Sequence, residues 1–199
     1  MSGSVYRVTL ALKGNRAMHI PTHIMSGWCV ASLFRLTPRE RMFCMVAAGA
    51  ADLDGLTIIA GEEWYWRTHH IVGHNLAVGV LLSIGLMLFS THRLKALLLY
   101  LLCFHLHLAM DFWGSGPGWM IHYLWPFDDR GWKTDQAWPL TSWQNTTAAA
   151  ALLLWTLWIA LRQGRSPLEN IMPDLDRRFV LSFRRLMRWR GAPVAADAA

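Results

Sequence analysis

Charged residues are absent from long blocks of this chain and crowded into the segments between them. Residues 71–91 (IVGHNLAVGVLLSIGLMLFST) and 136–161 (QAWPLTSWQNTTAAAALLLWTLWIAL) contain no Asp, Glu, Lys or Arg, and residues 96–110 (ALLLYLLCFHLHLAM) form a shorter block of the same kind. A bilayer core takes roughly 20 mostly apolar residues per helix. The first two blocks meet that length and the third falls short. Two weaker apolar stretches, 20–34 and 42–51, complete the pattern. The expectation is an all-α, multi-pass membrane bundle of about five helices, at least three of them in the bilayer. Stretches as short as the weaker pair are also compatible with buried helices of a soluble bundle.

The charges that remain are not evenly shared. Thirteen of the 19 Lys and Arg fall in the connections 35–41 and 91–95 and in the segment after 161. The connections 52–70 and 111–140 carry only Arg67, Arg130 and Lys133, against Asp52, Asp54, Glu62, Glu63, Asp111, Asp128, Asp129 and Asp135. On an alternating five-helix path every basic connection lies on one side and both acidic ones on the other. The positive-inside tendency makes the basic side cytoplasmic. The expected location is therefore the inner (plasma) membrane, with the C-terminal tail cytoplasmic.

Composition agrees. Hydrophobic residues make up 54% of the 199 positions and charged residues 16%, with a mean hydropathy of +0.24. That excludes a disordered chain and argues against an ordinary soluble enzyme. Twelve Trp suit membrane interfaces. Residues 1–17 read as a disordered arm or as sequence before a true start at Met18, with no cleavable signal peptide visible. Residues 18–163 read as the membrane domain and 164–199 as an Arg-rich tail. The net charge of +6 could attract nucleic acid or anionic lipid. No nucleic-acid fold signature accompanies it, so lipid is the expected partner and nucleic acid is not. Cys29, Cys44 and Cys103 sit in apolar stretches without a CxxC pair and read as small buried hydrophobes.

The chemistry gathers on the acidic side, although that side was drawn from Lys and Arg alone. His23 opens the first helix. Asp52 and Asp54 follow the second in AADLDGL. His69, His70 and His74 stand at the start of the third in RTHHIVGHN. His107 and Asp111 stand at the end of the fourth in FHLHLAMD. His107 and Asp111 share a helix face by their i,i+4 spacing, and His70 and His74 have the same spacing. Of Asp52 and Asp54, both could point inward, or one could ligate while the other orients a His or a water. His105 lies about 200° round the helix from His107 and cannot face the same ion. His19, His92 and His105 are left as capping or interfacial residues, and His122 is unassigned. Imidazole with carboxylate suits zinc, with manganese or iron as alternatives. Six to eight candidate ligands would serve one to three ions. No serine-nucleophile elbow, P-loop or dinucleotide fingerprint is present.

The order PTHIMSGW, ADLDG, HHIVGHN, HLHLAMDFWGSGPGW and YLWPF resembles the YdjM-like family of membrane-bound metal-dependent hydrolases, over roughly residues 18–130. That family is in turn similar to the zinc-dependent phospholipase C and single-strand nuclease superfamily, all-α enzymes with a His/Asp multi-zinc site. The resemblance implies that His23 is the family's first His and Asp52 with Asp54 its DxD element. It implies that His69 and His74 are its H-x4-H element, and His107 with Asp111 its H-x3-D. His70 stands where the family often has Arg, and Ala51 replaces a more usual Pro.

The expected activity is hydrolysis of an ester or phosphoester, of lipid-like or envelope origin, by water activated on a metal near the non-cytoplasmic face. His23, Asp52, Asp54, His69, His74, His107 and Asp111 are the candidate ligands. Asp54 is also the candidate base, and His70 a proton carrier or further ligand. The rivals are a non-enzymatic metal transporter or sensor using the same ligands, and an envelope assembly factor that works through its basic tail.

Overall fold

A computed structural model describes residues 20–189. The N-terminal arm, His19 and the last ten residues of the tail lie outside the described residues. Helices are the only regular elements among the described residues, with an isolated bridge between Ile121 and Trp132 in the long loop between Gly114 and Trp143. The described chain contains α1 (Ile20–Ala31), α2 (Pro38–Gly49), a 3₁₀ segment η1 (Ala51–Ala60), α3 (Glu62–Thr68), α4 (Leu76–Leu88), α5 (Arg93–Gly114), α6 (Trp143–Gln163) and α7 (Pro173–Leu186). The five expected helices correspond to α1, α2, α4, α5 and α6. Three further elements, η1, α3 and α7, were not foreseen.

Which helices can span also differs from expectation. α5 and α6 are long and apolar enough to cross a membrane, and α2 with η1, bent by 56°, could form a third span. At 1.5 Å per residue α5 reaches about 33 Å, against a hydrocarbon core of about 30 Å. The uncharged block 71–91 yields only α4, 13 residues long, because residues 69–75 are taken up by a loop. The block 96–110, which looked too short, lengthens into α5: neither Arg93 nor Asp111 breaks a helix, and both lie inside it.

α5 sits at the centre, with α1, α2 and α4 packed on it and α6 on α1. Close approach depends on small side chains. Gly27 of α1 lies so near α2 that a Cβ would come within 2.5 Å of the Cys44 carbonyl oxygen. Ala31, Ala47, Ala48, Cys44 and Cys103 fill the same seam, as in helix pairs that associate without a hydrophobic driving force. The three cysteines are free and buried. The outer surface is apolar where a soluble bundle would be polar. Leu94, Leu98 and Leu102 form an exposed i,i+4,i+8 stripe on α5, and Leu153, Leu154 and Trp158 are exposed on α6.

The three basic connections meet at one end of the bundle. Thr37 caps α2 through a capping box with Glu40. Glu40, almost fully buried, also accepts from the Thr91 N–H at 2.9 Å and the His92 N–H at 3.3 Å in the α4–α5 turn. Lys95 donates to the Arg35 carbonyl, Gln163 to the Ser32 carbonyl, and the Arg41 guanidinium pairs with Glu169. At the other end Asn145, on the first turn of α6, donates to the Gly114 carbonyl at the end of α5 at 2.8 Å. The residues of the expected site lie at this second end.

Candidate metal centre

Four segments supply the site. The last two turns of α5 present His107 and Asp111 from one face, with His107 Nε2 2.9 Å from Asp111 Oδ2. α1 brings His23 beside them, its ring 3.9 Å from that of His107. η1 contributes Asp52 and Asp54. The loop between α3 and α4 contributes His69, His70 and His74, and ends where Asn75 caps α4 by accepting from the Val78 N–H at 2.9 Å. These histidines therefore do not share a helix face, as the spacing of His70 and His74 suggested. They share a tight loop in which His70 adopts a left-handed φ of 67°, a strained conformation for a non-glycine residue. Gly73 allows the loop to close on η1, since a Cβ there would fall 2.2 Å from the Ala51 carbonyl oxygen.

Asp54 organises this loop. Its Oδ1 lies 2.7 Å from His69 Nδ1. Its Oδ2 accepts from the His70 N–H at 3.1 Å and the Gly73 N–H at 2.9 Å, and lies 3.0 Å from His74 Nδ1. Asp52, two residues away, turns toward α5 instead. Its Oδ1 is 3.7 Å from His107 Nε2 and 3.8 Å from His74 Nε2.

The remaining ring nitrogens converge. His107 Nδ1 must donate to the Ala48 carbonyl at 2.7 Å, because a carbonyl only accepts. Its Nε2 therefore carries the lone pair. His74 Nδ1 donates to Asp54, which leaves the Nε2 of His74 in the same condition. The two Nε2 atoms lie 3.1 Å apart, and Asp111 Oδ2 is 3.1 Å from that of His74. Two lone pairs facing each other at this distance, with a carboxylate oxygen between them, need a cation or a proton. His74 Nε2, His107 Nε2, Asp111 Oδ2 and Asp52 Oδ1 thus form a four-atom cage. Five of its six edges run from 2.9 to 3.8 Å. A tetrahedral site with ligands about 2 Å from the ion has edges of about 3.3 Å. The donor set can hold a metal ion.

More ligating capacity stands unused around the cage. Both ring nitrogens of His23, Asp52 Oδ2 and His70 Nδ1 are buried without a hydrogen-bond partner. His23 Nε2 lies 3.3 Å from Asp111 Oδ1, which also accepts from the Ser115 hydroxyl at 3.0 Å. His70 Nε2 lies 3.9 Å from Asp111 Oδ2. His23, Asp52, His107 and Asp111 form one group with mutually close ligand atoms, Asp54, His69 and His74 a second, and His70, His74 and Asp111 a third, so Asp111 and His74 each belong to two. Charge points the same way. The ion pairs of Asp52, Asp54 and Asp111 are all with His, and buried carboxylates without a counter-charge are costly. Burial, with His74 beside it, pushes His70 down to about 3, so this ring is neutral. Burial also works against an imidazolium at His74. The hydrogen bonds to Asp111 and Asp54, with their charges, outweigh it and raise His74 to about 9.

Beside the histidine loop lies a cleft of about 430 Å³, lined by Trp66, His69, Ile71, Trp119 and His122 among others. Trp119 stacks on Trp66 and stands 4.8 Å from the His70 ring. His122, unassigned from sequence, lines this cleft and donates from Nδ1 to the Asp129 carbonyl at 2.9 Å. His105 points away to the Leu101 carbonyl and the Tyr123 hydroxyl, and His92 lies at the opposite end of α5. One residue that sequence reasoning missed is Ser115, whose hydroxyl donates to Asp111. Ser115 follows Asp111 at i+4, a spacing that could have revealed it. No family model, curated protein or solved structure matches the chain.

Proposed function

We propose that this chain is a membrane-bound, metal-dependent hydrolase of esters, phosphoesters foremost, as its resemblance to the YdjM-like family implies. The observation that carries the reading is the pair of His74 and His107 Nε2 atoms, each with its other nitrogen committed to an acceptor, facing each other across a carboxylate oxygen. Zinc is the first candidate, because four close N and O donors suit a tetrahedral ion better than the larger shells of manganese or calcium. His74, His107, Asp111 and Asp52 would hold it, and His23, His70 and Asp52 Oδ2 offer donors for a second ion. Bound there, such an ion would polarise the ester oxygen and lower the pKa of a water.

The protein's own groups then divide the remaining work. Asp54 is a positioning residue: its two oxygens serve two backbone N–H groups and two imidazoles, which leaves it poorly placed as the base expected from sequence. His69, held through Nδ1 by Asp54 and lining the cleft, is the better proton carrier, as in other carboxylate-oriented histidines. Trp66 and Trp119 limit water around the bound substrate. The cluster end faces the non-cytoplasmic side of the inner membrane and the basic end the cytoplasm, by the positive-inside tendency.

The test is metal analysis of detergent-purified wild type beside His107→Ala and Asp111→Ala, together with turnover of chromogenic phosphomonoesters, phosphodiesters and carboxyl esters. The expected result is at least one tightly held ion in the wild type, most of it lost in both variants, and hydrolysis that a chelator abolishes. Equal, negligible metal in all three proteins would end the proposal. Stoichiometric metal without turnover of any ester would favour the transporter or sensor instead.

A further inference from the structure

α7 presents three faces. Asp176, Val180 and Arg184, each four residues apart, are buried against the rest of the molecule. Asp176 Oδ1 accepts from the Ser166 N–H at 2.7 Å and Arg184 Nε donates to the Leu161 carbonyl at 2.9 Å, which fastens α7 to the end of α6. A second face carries the exposed Arg177, Arg178 and Arg185 with the exposed Leu181 among them, and the exposed Arg188 follows just beyond the helix end. The third is apolar and uncovered. Met172, Leu175, Phe179 and Leu186 are exposed, and the half-buried Phe183 stacks on Phe179 at 5.8 Å. Their spacing of three and four residues forms one stripe.

What covers that stripe follows from its place. α6 is long and apolar enough to cross a membrane, and α7 begins shortly after its end, so on that reading it lies level with the bilayer boundary. Arg162 sits 5.6 Å from the Trp158 ring and 5.4 Å from the Trp189 ring at the same level, a pairing suited to the headgroup region. On α6 itself Leu154 and Trp158 are exposed as well. An apolar stripe flanked by arginines at this depth matches acyl chains below and anionic headgroups around it.

We propose that α7 is an in-plane surface helix whose partner is an anionic lipid leaflet. This is independent of the metal centre. Because Cys29, Cys44 and Cys103 are buried, a cysteine introduced on α7 can be spin-labelled selectively in the full-length protein. Leu175→Cys, Phe179→Cys and, as a water-facing control, Asp174→Cys are labelled and reconstituted into nanodiscs. One set of discs is phosphatidylcholine alone and the other contains added phosphatidylglycerol.

The label's accessibility to oxygen relative to a water-soluble nickel chelate reports its depth. The expected result is a several-fold higher ratio at 175 and 179 than at 174. The difference should grow with phosphatidylglycerol and shrink when Arg177, Arg178, Arg185 and Arg188 are replaced by Gln. Equal ratios at all three positions would overturn the proposal. So would dipolar broadening between labels at 175, which would show a second copy on the stripe.

Discussion

Asp54 illustrates how one side chain can organise the site around it. Its oxygens fix the tautomer of His74 and the orientation of His69 while holding the loop backbone. Asp54→Asn keeps the shape but puts an N–H where an acceptor is needed. The expected outcome is a fall in metal affinity of about 10–100-fold with the fold retained, the usual cost of losing a ligand-orienting partner. Competition with a fluorescent chelator would measure it. His74 gives the pH dependence. Without metal its value is raised to about 9, so below that pH the ring carries a proton that an incoming ion must displace. Metal affinity should therefore rise with pH, about tenfold per unit for this one proton, until it levels off near pH 9. Calorimetry in buffers of different ionisation enthalpy should detect about one proton released per ion at neutral pH. At this scale the sequence was most informative. His23, Asp52, Asp54, His69, His70, His74, His107 and Asp111 do come together, because their positions near helix ends on one side leave few other ways to pack. Their division of labour was not legible. Asp52 and Asp54 flank Leu53, and only the 3₁₀ winding of η1, which puts residues two apart on different faces, sends one to α5 and the other to the histidine loop.

Helices were legible where composition alone decides them and not where a polar contact does. α5 and α6 follow from unbroken apolar runs. α4 stops short of the uncharged block because a cap at Asn75 and a glycine at 73 give the preceding residues to the site. α7 went unseen because its hydrophobic residues are few and its signal lies in periodicity rather than in mean hydropathy. Glu40 was also missed, since a charged residue in a basic connection reads as solvated. It is instead the buried acceptor that joins the start of α2 to the α4–α5 turn. Glu40→Ala should lower stability by about 2–3 kcal/mol, through a lost capping box and stranded N–H groups. Thermal unfolding in detergent would show it as a clear drop in Tm. Glu40→Gln, which keeps an acceptor but loses the charge, should fall between.

Over the whole molecule, the pattern of charge and the pattern of contacts agree. Segment 35–41 hydrogen-bonds to both 91–95 and 162–189 at one end, while every member of the metal cage lies at the other. On the proposed orientation, a reporter active only outside the cytoplasm should be silent when fused after residue 93 and active after residue 130. The opposite pattern would invert the assignment. The number of crossings was poorly legible, because the bend between α2 and η1 has no marker in composition: Ala50 and Ala51 would continue a helix as readily as break it.

The central helix is thus secured in two different ways. At Arg93 the protein ties itself down with its own side chains, through Glu40 and Lys95. At Asp111, on the proposed reading, the last fastening is borrowed from the surroundings. Starving the organism of that ion should loosen the mouth of the cleft and leave the opposite pole intact, so the protein would act as a gauge of supply as well as a catalyst.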